Sequence, residues 1–92
     1  VDEIIRIYSE NKKVYVQTNQ ETYSIRMRLY ELEEKLTASQ FVRISQSEMI
    51  NRHQILSMDI SLTGTIGVLL KGNIKTFASR RYVSKIKKQL GI

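Results

Sequence analysis

The hydrophobic period of this chain changes from two to 3.6 and back again, and that alternation limits the folds open to it. Residues 4–8 (Ile-Ile-Arg-Ile-Tyr) and 14–18 (Val-Tyr-Val-Gln-Thr) are short, β-branched and aromatic, and the polar connection at 9–13 predicts a hairpin between them. Asn19 and Gln20 mark a second turn, after which the alternation of residues 22–26 predicts a third strand beside the second. The spacing then becomes helical. Leu29, Leu32 and Leu36 fall at i, i+3 and i+7, with Glu31 and Lys35 paired on the other side, so a short amphipathic helix with a core-facing leucine stripe is expected over 29–36. Alternation returns at Phe41: Val42 and Ile44 form an apolar face, Arg43 and Ser45 a polar one, and Phe41 is expected to cap the junction. No periodicity fixes side-chain direction between Ser45 and Asn51.

Three further strands are expected over 55–60, 65–70 and 74–77, joined by turns at 62–64 (Leu-Thr-Gly) and 71–73 (Lys-Gly-Asn). Helical spacing closes the chain, with Tyr82, Val83, Ile86 and Leu90 on one side, Lys85, Lys87 and Lys88 around them, and Gly91 as the stop. No proline or repeat divides the 92 residues. The expected fold is mainly β, a single domain over 1–92 built as a small sandwich of antiparallel sheets, with a short central helix and a short C-terminal helix. Because the first residue is valine, the chain is read as a C-terminal fragment of a longer protein.

Composition narrows the chemistry. There is no cysteine, so disulfides, thiolate catalysis and cysteine zinc sites are excluded, and a cytoplasmic location, the one expected, is permitted. His53 alone cannot build a histidine metal cluster, and no cofactor is expected. No apolar run approaches the roughly 18 residues of a membrane span, and the start lacks the basic opening of a signal peptide, so no membrane contact is expected. Net charge is +6, with seven Lys/Arg against seven Asp/Glu up to Gln46 and eight against two from Ser47 onward. That asymmetry points to an acidic partner, nucleic acid or a membrane surface, or else to a lysine-rich solvated face.

Individual residues sharpen this. Ser79 stands where the last helix is expected to begin and can cap its free N–H groups. Arg80 and Arg81 then fall in the first turn, where the helix dipole disfavours each by about 0.3–1 kcal/mol. A phosphate there would accept the N–H groups and pair with both guanidinium groups; otherwise the arginines lie flat on the surface or pair with Glu33 or Glu34. Lys12 and Lys13 at the hairpin tip either enter a groove or stay solvated. Gln46, followed by Ser47, comes directly after a strand, and its amide can donate to and accept from an adenine edge. Asn51 either holds a turn or touches a ligand, and His53 is read as a surface or satisfied residue. Tyr8, Tyr15 and Tyr23 suit sheet positions; as a base-stacking platform they lack the basic-Gly-aromatic motif of the common RNA module. Catalysis is not expected: there is no nucleophile elbow, phosphate-binding glycine loop or His-x-x-x-His pair.

Residues 41–47 (Phe-Val-Arg-Ile-Ser-Gln-Ser), with Met49, Ile50 and Asn51, resemble the "F-x-R-x-H-x-S-x-x-V-N" pattern of the LytTR DNA-binding domain of bacterial transcription regulators. Ser79, Arg80, Arg81 and Tyr82 match its "S-R-x-Y", and the leucine helix, Ile55 and the Gly72-Asn73 turn keep register over nearly the whole chain. Ser45 stands where histidine is common, and Ile50 where valine is usual. The resemblance implies a sandwich whose loops, rather than a recognition helix, enter successive major grooves and bend the DNA. It implies base reading near Lys12 and Lys13, at Gln46 and at Arg81, and phosphate contacts at Ser47, Ser79 and Arg80; Arg43, within the motif, joins the candidate DNA-binding residues. The expected protein is the output domain of a response regulator in a two-component system, binding promoter repeats as a dimer on DNA behind an N-terminal receiver or other regulatory segment. The competing classes are a protein-interaction or ligand-sensing β module with a basic face, and a non-specific RNA binder.

Overall fold

A computed structural model describes residues 3–36, 40–60 and 65–91, and the turn expected at 62–64 lies outside them. The chain opens with β1 (Ile4–Glu10), β2 (Lys13–Thr18) and β3 (Thr22–Ile25), followed by α1 (Leu29–Lys35). Asn11 and Lys12 alone join β1 to β2, with φ of 51° and 67°. Two consecutive left-handed residues give a turn whose twist matches that of the flanking strands, so both strands run further than expected. Lys13 is therefore a strand residue opposite Glu10, not part of the loop.

The segment without a legible period forms β5 (Glu48–Asn51), which pairs antiparallel with β4 (Phe41–Ser45) on one side and β1 on the other. The resulting five-stranded sheet has the order β3-β2-β1-β5-β4. All four residues of β5 are buried, because both faces of the sheet are covered there. On one face Met49 joins Ile7, Val14, Phe41 and Leu29 of α1. On the other, Ile50 joins Ile5, Val42 and Ile44 against the second sheet. A bulge between Ile4 and Arg6 shifts the register, which is why Ile5 and Ile7, two residues apart, serve different clusters. Phe41, expected to cap a junction, is instead a core residue only 4% exposed.

A 3-10 turn over Arg52–Gln54 carries the chain to the second sheet, β6 (Ile55–Asp59), β7 (Ile66–Leu70) and β8 (Ile74–Ala78), in that order. Asn51 is fully buried at this corner: its Nδ2 donates to Ile4 O at 2.8 Å and its Oδ1 accepts from His53 N at 3.0 Å. It holds the turn. The sheets also meet through a charge, since Glu48 accepts from Arg6 Nη1 at 3.1 Å and from Thr76 Oγ1 of β8 at 2.7 Å. The last helix, α2 (Val83–Leu90), buries Ile86 in the same core and ends at Gly91 with φ 74°, the left-handed stop expected there.

In α1 the carboxylate of Glu31 accepts the backbone N–H of Arg28 at 3.1 Å, fastening the first turn. The leucine stripe is graded: Leu29 is buried, whereas Leu32 and Leu36 are only partly buried against the cluster. Leu29→Ala should therefore cost roughly 2–5 kcal/mol, the range for emptying a buried leucine site, and Leu32→Ala clearly less. Urea denaturation of both variants checks this, and an equal loss would contradict the packing.

Candidate nucleic-acid interface

In the antiparallel five-stranded sheet, the ends of β1, β3 and β4 lie at the same edge as the starts of β2 and β5. The Asn11–Lys12 tip, the Gln46–Ser47 turn and residues 26–28 all project from that edge. Two backbone bonds fasten the parts: Ser9 N donates to Ser47 O at 2.8 Å, and Ser79 N donates to Ile44 O at 2.8 Å. The second bond starts the Arg80–Tyr82 turn beside the end of β4, so residues far apart in sequence share one end of the molecule.

Arg43 organises the turn between β4 and β5. Its Nε donates to Ser45 O and its Nη2 to Gln46 O, both at 2.6 Å, while Nη1 meets Glu33 Oε1 at 2.9 Å. The other Glu33 oxygen lies 3.5 Å from Lys85 Nζ, so α1 and α2 are drawn into the same network. The side chain of Arg43 is 11% exposed. Arg43, a candidate DNA-binding residue, is thus engaged in holding the turn, its planar guanidinium forking onto two carbonyls and a carboxylate through charge-assisted bonds. Ser45 Oγ accepts from Ser47 N at 3.2 Å, giving that position a turn-holding role. Gln46 is exposed, and its side-chain amide has no hydrogen bond among the described residues.

The segment after β8 also departs from expectation. Ser79 makes no side-chain cap, and its carbonyl accepts from Tyr82 N at 2.9 Å to close a 3-10 turn over Arg80–Tyr82. Its N–H already belongs to Ile44, which holds the residue extended, so the α-helix begins only at Val83. Arg80 and Arg81 therefore precede the helix and are exposed, and neither meets Glu33 or Glu34. Tyr82 packs against the core and anchors the turn.

Beside the tip lies a cleft of about 1010 Å³ whose lining includes Lys12, Lys13, Arg26, Arg28, Tyr30 and Gln46. Arg26 and Arg28 escaped the sequence reading because the count over the first half of the chain cancelled them against glutamates that the fold sends elsewhere. The usable signal was local: two arginines flanking Met27, with no acidic residue before Glu31. Tyr23, exposed on β3, has its pKa raised by a hydrogen bond with Glu21 and then by that carboxylate's charge, so it remains a neutral phenol. Among the described residues no group of His, Asp or Glu is arranged to hold a metal, and no helix is long and apolar enough to cross a membrane.

Fold and site together define a two-sheet module that presents polar and cationic turns at one end. The sequence profile of the LytTr DNA-binding domain matches residues 1–91, and the chain belongs to that family. An HTH-type transcriptional regulator of Staphylococcus aureus strain NCTC 8325 is 37% identical over 92 residues, which are the whole of this chain and 62% of that protein. Its counterpart in the bovine strain RF122 is 36% identical over the same span. The chain thus spans under two thirds of the length of these curated relatives. A solved LytTr DNA-binding domain from Bacillus cereus superposes with a TM-score of 0.95 at 23% identity, covering 99% of this chain and 84% of that one, which establishes the sandwich fold. The chain is a DNA-binding domain of the kind found in transcription regulators.

Lys12 carries a cost that tests the tip. A left-handed backbone strains a residue with a Cβ by about 1–2 kcal/mol, and glycine escapes that strain. Lys12→Gly should raise stability by about 1 kcal/mol in urea denaturation while weakening DNA binding. A loss of stability would contradict the turn geometry.

Proposed function

We propose that this domain binds specific double-stranded DNA by inserting its turns into successive major grooves, as the output part of a bacterial response regulator. The observation that carries the proposal is the convergence of Lys12, Gln46, Ser47, Ser79, Arg80 and Arg81 on one end of the molecule, on turns stitched to the sheet. In this scheme Gln46 and Arg81 read base edges, Lys12 enters a groove with Lys13 at its base, and Ser47, Ser79 and Arg80 hold phosphates. Arg43 keeps the Gln46 turn in shape. The relatives are named HTH-type regulators, yet here α1 and α2 are separated by five strands, and no consecutive helix pair exists among the described residues. Recognition by turns is therefore favoured over a recognition helix. The proposed setting is the bacterial cytoplasm, with a receiver or another regulatory segment preceding the domain.

Arg81→Ala should lower specific affinity by about 1–3 kcal/mol and relax preference at one base pair, the scale of a bidentate arginine–guanine contact. Gln46→Ala should weaken discrimination more than total affinity, because an amide adds no long-range charge and non-specific binding is mostly electrostatic. Selection from a random duplex pool, followed by titration of each folded variant on selected and random DNA, measures both. Equal losses on the two DNAs would remove the residue concerned from the base-reading set.

We also propose that two copies occupy neighbouring half-sites, since a single module covers only about 600–1,000 Å². Moving one half-site by about five base pairs turns it to the opposite face and should abolish joint binding by the full-length protein while sparing single-site binding. Affinity indifferent to that shift would end the paired scheme.

A further inference from the structure

We propose that the cleft between the β1–β2 tip and the start of α1 is a second DNA-backbone surface, with Arg26 and Arg28 holding phosphates that flank the bases read by the turns. This rests on the DNA-binding scheme above and extends it to residues outside that set.

Four observations support the assignment. Lys12, Lys13, Arg26 and Arg28 line one concave surface of about 1010 Å³, which is continuous with Gln46. Among the described residues none of these four cations has an acidic partner within ion-pair distance. Of the nearby carboxylates, Glu31 accepts the backbone N–H of Arg28, Glu33 is shared between Arg43 and Lys85, and Glu10 stands opposite Lys13 across the hairpin without an ion pair to it. Tyr30, 58% exposed, adds a phenol of the kind that commonly donates to phosphate oxygens. Four like charges around one cleft repel one another unless an anion enters. A run of phosphates on one strand supplies several anions at the required spacing, whereas a small ligand prefers a mostly apolar pocket. Because the cleft opens beside the tip, the strand it takes is the one leaving the groove that Lys12 enters.

The salt dependence of binding reads the number of phosphates directly, with a log–log slope of about −0.9 per contact. The parent and the double variant Arg26→Gln/Arg28→Gln would be titrated from about 50 to 200 mM salt on two duplexes, one with long flanks and one trimmed at the edge of the preferred site. On the long duplex the variant's slope should be shallower by about 1.8, so the parent's advantage shrinks roughly 12-fold across that range. On the trimmed duplex the two proteins should bind alike, and base preference should not change on either. Arg26→Lys/Arg28→Lys, which keeps both charges, should retain the parent slope. Lys71→Gln/Lys75→Gln removes the same charge from the second sheet, at the β7–β8 turn and on β8, and should leave the slope near the parent's.

Equal slopes for the parent and a folded Gln variant on the long duplex would overturn the proposal. So would an undiminished deficit on the trimmed duplex, or an equal drop in the Lys71/Lys75 variant, since either would make the effect one of overall charge. If the parent itself shows no sequence preference, the DNA-reading scheme fails. If the parent reads its site and the arginine variant matches it, only the cleft assignment fails.

Discussion

The structure depends on a four-residue strand that must bury a charge. Glu48 in β5 is 8% exposed, and an unpaired carboxylate in that position would cost several kcal/mol. Its partners come from two directions, Arg6 on the adjacent strand and Thr76 on the opposite sheet. A slip of β5 by one residue would turn the carboxylate toward Met49's side, into the apolar cluster under α1, and would take it from both Arg6 and the buried Thr76 hydroxyl. Register within the five-stranded sheet and alignment between the sheets are thus set by the same side chain. Asn51, three residues on, fixes the exit to the second sheet in the same manner, through backbone partners on either side of the corner.

The end that carries the polar and cationic turns inherits this order unevenly. The Gln46 turn is braced by the Arg43 fork and, through Glu33 and Lys85, by both helices, so little freedom is left there to lose on binding. The Arg80–Tyr82 turn is held by the Ser79–Ile44 bond and by the partly buried ring of Tyr82, packed against the core. Lys12 has only the backbone of a two-residue turn beneath it. The three proposed contacts thus rest on three different degrees of support.

Much of this was legible in the sequence, for reasons that differ by element. Strands with one apolar face announced themselves by alternation, as in β4, where Val42 and Ile44 are buried and Arg43 and Ser45 are less so, and α1 by its leucines. β5 did not, because alternation disappears when both faces are buried, and a run such as Glu-Met-Ile-Asn carries no period. The hairpin's extent was misjudged because five polar residues look like a loop, whereas a left-handed pair needs only two of them. Local chemistry also misled at Ser79: a serine before two arginines resembles a helix cap, but its N–H was already bound to a strand 35 residues earlier, a contact that spacing cannot reveal. Arg43 is engaged by two carbonyls of the turn that follows it and by Glu33 from α1, and only the last of these comes from a separate element. Gln46 and Arg81 are exposed on turns, where a side chain depends on its neighbours least. Charge counted along the chain hid the cationic cleft, which exists only after strands from different segments share an edge.

The two-residue tip has a consequence for how such domains diversify. Register between β1 and β2 is set by their paired core residues and by the number of residues in the turn, and Lys12 contributes no packing to either. Its identity can therefore change from one descendant to the next without disturbing the fold, provided the replacement tolerates a left-handed backbone. That requirement narrows the choice toward glycine, asparagine, aspartate and the occasional long cation. On the proposed scheme the innermost contact with DNA is drawn from a short chemical alphabet, and the evolution of new operators is then steered by backbone geometry as well as by the bases to be read.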